Sequence, residues 1–312
     1  MLSTFVHTIY QVFLPISLPV IGGALIKRFK KMETKPLSTL SLYLLSPALI
    51  FETLMHADIS YGDVTQTVLF TILNMLLLWA LAAGLGKLLT LPAAERSGLT
   101  LVALFTNCVN YGLPLVLLAL GQAGMDKASV YVILQIIIVN TIGVYFAARS
   151  HFSMKQAALS IFKLPSVYAA ALAVLLRMSG WSLPEGLEQG VSMVSGAYSS
   201  VALFILGAQM VSVNAGGGAK AVYSAVVQRA FYAGMSLRMV LSPLASMLLL
   251  LLMGVHGTLF NVILILSSMP AAVNAVILAE QFDAAPKVVT RCILWTTLAS
   301  FILLPLMIGW LS

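Results

Sequence analysis

The stretch Thr106-Asn107-Cys108-Val109-Asn110-Tyr111-Gly112-Leu113-Pro114-Leu115 lies inside an apolar segment long enough to cross a bilayer. It nevertheless carries two carboxamides, a glycine and a proline. Gly112 weakens a helix, and Pro114 donates no backbone hydrogen bond while pushing Leu113 away from helical torsions. Backbone polar groups freed in hydrocarbon are tolerated only where they are buried in protein or line a polar cavity. The stretch therefore marks a break in a membrane helix and a candidate binding site.

The surrounding chain fits that setting. Of 312 residues, 60% are hydrophobic and only 9% charged, the composition of a polytopic membrane protein with no separate soluble domain. The two cysteines, Cys108 and Cys292, sit in apolar surroundings, which argues against a disulfide framework or a metal site. A net charge of +7 is expected from basic cytoplasmic loops, and no nucleic-acid partner is implied. No Lys or Arg precedes the first apolar run, so that run is expected to stay as a span rather than be cleaved.

A spanning helix needs about 20 apolar residues. Ten segments qualify: 5–26, 37–55, 64–86, 97–120, 127–148, 162–179, 190–212, 236–255, 257–281 and 287–311. The stretch from Lys220 to Arg238 is mildly amphipathic and reads as an interfacial helix feeding the eighth span. With these spans, fifteen of the seventeen Lys and Arg residues fall on one side, leaving Lys127 and Arg177 for the other. That side is cytoplasmic by the positive-inside rule, which puts both termini outside, in the periplasm.

Ten spans divide into five-span repeats at 1–148 and 162–312, joined by the basic linker 149–161. An odd number of spans per repeat inverts the second repeat relative to the first, as in many secondary transporters. Corresponding spans then share features. The ninth reads Ser267-Ser268-Met269-Pro270-Ala271-Ala272-Val273-Asn274-Ala275, again a proline beside an asparagine. Pro114 and Pro270 are thus expected to break two antiparallel helices near the midplane, each in the first turn of a second half-helix, where a missing N–H costs nothing. Half-helix N-termini meeting there would attract a carboxylate. Asn107, Asn110, Asn274 and Gly112 are the candidate substrate-binding residues, and no basic residue is expected near mid-span.

Other polar residues are candidates for support. Gln135 and Asn140 in the fifth span, with Thr296 and Thr297 in the tenth, are placed to help hold substrate or a cation. Glu52 and Glu280, near the ends of the second and ninth spans, are candidate proton carriers. No cofactor is implied beyond a coupling proton or sodium ion. Enzyme motifs such as H-E-x-x-H, G-x-S-x-G and the phosphate-binding glycine loop are absent from the sequence, and transport rather than catalysis is expected. A membrane sensor or a polytopic enzyme is the reading from another class, with Cys108 the sole nucleophile in the central motif.

At Asn107 to Pro114, and at Met269 to Asn274 with Leu278-Ala279-Glu280-Gln281-Phe282 behind it, the sequence resembles the auxin efflux carrier family of transporters, in its bacterial branch. Ser46-Pro47-Ala48-Leu49-Ile50-Phe51 and Ala202 to Ala208 add weaker support, with Ser200 and Val201 standing where the family often has a proline. The resemblance implies a fold like that of bile-acid sodium symporters. In that fold a scaffold of spans 1, 2, 6 and 7 holds a mobile unit of spans 3 to 5 and 8 to 10. It also implies small organic anions such as malate, malonate or auxin-like acids as substrates, a homodimer in the bacterial inner membrane, and elevator-type movement. A sodium-coupled symporter of bile-acid-like or other anions is the alternative within the same fold.

Overall fold

The computed structural model describes residues 9–56, 60–138, 165–216, 224–273 and 275–311. Asn140, Asn274 and the linker 149–161 lie outside the described residues. The chain is an all-α polytopic membrane protein. Among the described residues, seven helices are long and apolar enough to cross a membrane: Ile9–Lys30, Lys35–His56, Tyr61–Leu88, Cys108–Ile136, Glu185–Val211, Ala225–Leu252 and Pro286–Leu311. Two shorter apolar helices, Pro165–Ser179 and Gly257–Ser267, accompany them. Large side chains such as Leu18, Phe29, Leu175 and Leu252 are exposed on the outer faces of these helices, as a lipid solvent allows.

The eighth span departs from its expected start. Ser224 caps a helix at Ala225, its hydroxyl accepting from the Val227 amide at 3.4 Å, and the helix runs unbroken to Leu252. From Ala225 onward the amphipathic stretch is the first half of the span itself. Arg238, counted above among loop charges, therefore lies at mid-span, which leaves fourteen basic residues on the expected cytoplasmic side.

Among the described residues, four spans contain a π-helical turn, at Ile9–Phe13, Ser41–Leu45, Cys108–Gly112 and Leu237–Leu241. Each is followed, one residue later, by a proline: Pro15, Pro47, Pro114 and Pro243. A proline ring clashes with the carbonyl four residues back, which here falls at the centre of the π-turn. The wider turn moves that carbonyl aside. Pro114 thus sits in the second turn of its half-helix, behind a π-turn that begins at Cys108, rather than in the first turn as expected.

The fourth and fifth spans are joined by one residue. Gly121, at φ 64° and ψ −160°, interrupts the helix Leu113–Ile138 with torsions that a side chain disfavours. Gln135, fourteen residues after it, reaches Thr106, fifteen residues before it, so the chain reverses at this glycine. An ion pair of 2.8 Å between Lys127 and Asp63 fastens the fifth span to the start of the third.

The first span packs along the seventh, and the second along the sixth. Glycines bring the first pair into backbone contact. A Cβ built at Gly23 would overlap the Phe204 carbonyl, and one at Gly207 would overlap the Val20 carbonyl. Replacing Gly207 by Ala is expected to cost about 1–3 kcal/mol, because the opposing atoms are backbone and cannot turn away. Gly22→Ala, where nothing lies within 4 Å, is expected to stabilise by about 1 kcal/mol through helix propensity. Thermal unfolding of the two variants in detergent measures both.

Candidate functional site

The breaks in the fourth and ninth spans cross each other as a short antiparallel pair. Thr106 and Ala271 form a β-bridge. The Asn107 amide donates to the Pro270 carbonyl at 2.9 Å, and the Ala272 amide donates to the Phe105 carbonyl at 2.7 Å. Pro270 therefore lies in the extended crossing strand, as an acceptor, rather than in the first turn of a half-helix. The first half of the ninth span packs on the second half of the fourth, and its second half, Ala275–Gln281, packs on the first half of the fourth, Ala93–Leu104.

Thr296 reaches into this crossing from the tenth span. Its hydroxyl accepts from the Ala271 amide at 3.2 Å while donating to the Cys292 carbonyl at 2.7 Å. Thr297 donates to the Ile293 carbonyl of its own helix. Both are fully buried and neither lines a cavity, so Thr296 braces the break.

The largest departure from expectation is Arg238, which is 0% exposed. Its Nε donates to the Met269 carbonyl at 2.8 Å, one Nη to the Ala103 carbonyl at 2.8 Å, and the other Nη to the Ser267 carbonyl. Ser242, one turn further along, donates to the same Ser267 oxygen at 3.3 Å. Ala103 and Ser267 belong to the final turns of the two half-helices that run into the crossing from opposite sides. A basic residue is thus present near mid-span after all. Its charge meets the negative ends of two helices, each worth about half an elementary charge.

Beside the crossing lies a cavity of about 440 Å³, within the range of small-molecule sites. One wall is the crossing itself, from Phe105 to Asn110 with Ala272 and Val273, backed by Gln135. The other comes from the second, sixth and seventh spans, including Ser46, Ser166, Tyr198 and Gln209. Lys35, Ser38 and Thr39, at the start of the second span, also line the cavity. Among the described lining residues, Lys35 is the single charged one and none is a carboxylate.

Asn107 occupies the head of the second half-helix. Its carbonyl accepts from the Tyr111 and Gly112 amides, so by helix geometry the Cys108, Val109 and Asn110 amides precede the first intrahelical bond. Its side chain makes no capping bond, and Nδ2, in a residue 4% exposed, has no hydrogen-bond partner. A buried amide left unpaired costs about 1–3 kcal/mol, which a ligand oxygen in the cavity would relieve. Gln209 repeats the pattern across the cavity, where Oε1 is buried without a partner.

The remaining candidates separate. Asn110 lines the cavity and accepts from the Tyr198 hydroxyl at 3.4 Å, a bond across to the seventh span. Gln135 lines the cavity and donates to Thr106 Oγ1 at 3.5 Å. Gly112 faces away from it; a Cβ there would press on Leu266 Cδ2 at 2.6 Å, so its lack of a side chain serves packing against the ninth span rather than ligand contact. Pro114 is also outside the lining. Glu280 is exposed and away from the cavity. Glu52 lines a separate small hollow with His56 and Glu188, which pair at 3.1 Å. Among the described residues, no group of His, Cys, Asp and Glu is arranged to hold a metal ion.

Residues 4–308 match the family of membrane transport proteins. The chain belongs to this family, the auxin efflux carriers. It is 26% identical to an uncharacterized transporter of Methanothermobacter thermautotrophicus, across 95% of this chain and 96% of the other. It is 24% identical to an uncharacterized transporter of Methanocaldococcus jannaschii, across 90% and 91% of the two chains. Both relatives are archaeal, outside the bacterial branch that the sequence suggested.

Sequence reasoning missed Arg238, Gln209, Ser166 and Tyr198. A heptad-like view of the eighth span, with Arg238 four residues before Ser242 and eight before Ser246, would have placed all three on one face. Ser242 and Ser246 are fully buried, and Ser246 donates to Asn74 of the third span at 3.1 Å. Replacing Thr296 by Val is expected to destabilise the carrier by about 1–3 kcal/mol by stranding the Ala271 amide. Thr297→Val, which removes only a bond to a carbonyl of its own helix, is expected to be close to neutral. Thermal unfolding of the two variants separates these roles.

Proposed function

We propose that this chain is a secondary transporter of small carboxylate anions, and that the cavity beside the crossing is its substrate site. The observation that carries this reading is the unpartnered Asn107 Nδ2 at the head of a half-helix, in a cavity lined by no carboxylate. A carboxylate would accept from that amide and from the leading backbone amides, with the partial positive charge of the helix end adding to the attraction. Arg238 offsets the two negative half-helix ends that also meet at the crossing, so that they do not repel an anion there.

The packing supports a scaffold of spans 1, 2, 6 and 7. Exchanging first for sixth and second for seventh turns the 1·7 pair into the 6·2 pair, as two inverted repeats at 1–148 and 162–312 require. The cavity lies between that scaffold and the crossing unit. With the basic loops cytoplasmic and the termini periplasmic, Lys35 lies on the inner side, and a cavity that reaches it would open inward, as at one end of an elevator cycle. A homodimer in the inner membrane completes this reading.

Carboxylates are expected to raise the unfolding temperature of the purified protein, and the corresponding neutral amides are not. Asn107→Ala is expected to weaken that response about tenfold or more, the equivalent of one lost hydrogen bond to a charged group, and Gln209→Ala, whose open atom is an acceptor, to weaken it less. Unchanged stabilisation in both variants would remove the cavity from the transport path. In proteoliposomes, Glu52→Gln and Glu280→Gln are expected to leave carboxylate flux unchanged, since neither carboxyl faces the cavity; a loss of flux in either would restore a proton-carrying role.

A further inference from the structure

Broken-helix transporters commonly hold their coupling cation with unwound backbone carbonyls and half-helix C-terminal ends. In this chain the equivalent groups are the carbonyls of Ala103, Ser267 and Met269, and all three accept hydrogen bonds from Arg238. We propose that the Arg238 guanidinium is a tethered cation that occupies this position permanently, and that truncating its side chain uncovers a site for a small monovalent cation.

Charge and geometry both favour this assignment. The two C-terminal half-helix ends together present about one negative charge, which one guanidinium cancels. Three carbonyl oxygens converge on a planar fork, and the Ser242 hydroxyl adds a fourth oxygen beside the Ser267 carbonyl. Such a set of neutral oxygens suits sodium, lithium or guanidinium once the side chain is gone. The fully buried Arg238 has no carboxylate partner among the described residues, so the helix ends are its counter-charge. With the position filled by the protein itself, the cycle has no vacancy there for sodium to enter and leave with the substrate. This argues against sodium coupling at that position and deepens the carboxylate reading, on which its flux consequence rests.

Arg238→Ala tests the assignment by thermal unfolding in low-millimolar sodium, lithium or guanidinium chloride, with choline chloride holding ionic strength constant. The unfolding temperature of the variant is expected to rise by about 3 °C or more with guanidinium or one of the metal ions, while the wild-type protein stays flat. Arg238→Lys, which keeps the charge, is expected to stay flat as well. A folded Arg238→Ala variant that ignores every cation would overturn the proposal and leave Arg238 a structural clamp.

Where Arg238→Ala gives no folded protein, wild-type proteoliposomes decide. Flux unchanged on replacing sodium by choline, with no substrate-dependent uptake of radioactive sodium, supports the assignment; sodium uptake linked to substrate overturns it. The two readings fail separately. A protein that no carboxylate stabilises, but whose Arg238→Ala variant still responds to guanidinium, keeps the tethered cation and loses the substrate class.

Discussion

One guanidinium holds two helix ends together in the middle of a membrane. The half-helices ending near Ala103 and Ser267 run into the crossing from opposite sides, and each arrives with carbonyls that have no partner in its own helix. In water such ends would be solvated. In hydrocarbon each unsatisfied carbonyl costs several kcal/mol, and two negative helix ends brought face to face also repel. Arg238 removes both penalties at once, with donors on three carbonyls and a charge that offsets the two dipoles. Burying an arginine is itself costly, so neither the break nor the cation is stable without the other.

The rest of the crossing follows from the same accounting. Amides of Asn107, Ala271 and Ala272, left over by the breaks, find Pro270, Thr296 and Phe105. Among the described side chains of the two breaks, Asn107 Nδ2, Tyr111 Oη and Ser268 Oγ have no partner, and of these residues Asn107 lines the cavity. Together with the leading amides of Cys108, Val109 and Asn110, the open Asn107 donor suits the acceptor that the proposed substrate would bring. The cavity adds Gln209 on the facing wall and, among the described lining residues, no carboxylate, which is the setting the proposed anionic substrate needs.

Much of this was legible in the sequence because bilayer thickness imposes a length on every span, and because a proline with an asparagine inside such a span has few explanations. Pro114 and Pro270 marked both breaks, and Asn107 and Gln135 fell on the cavity. Arg238 was illegible for a physical reason. A basic residue near the start of an apolar run reads as a loop charge, and what makes it tolerable in the membrane are carbonyls 31 and 135 residues away in the chain. Gly112 misled for the opposite reason, since its neighbour across the ninth span, Leu266, leaves no sign in the local pattern. The exact placement of Pro114 was hidden by the π-turn before it, which adds a residue that α-helical counting does not expect.

The single-residue joint at Gly121 has a mechanical meaning. With no loop between them, the half-helix headed by Asn107 and the fifth span carrying Gln135 cannot shift independently, and the Gln135 to Thr106 bond closes the hairpin at its far end. Any displacement of one carries the other. The polar end of the cavity is therefore a rigid cassette whose spacing is kept while its surroundings change, so a cargo held by that cassette would meet the same donors on either face of the membrane.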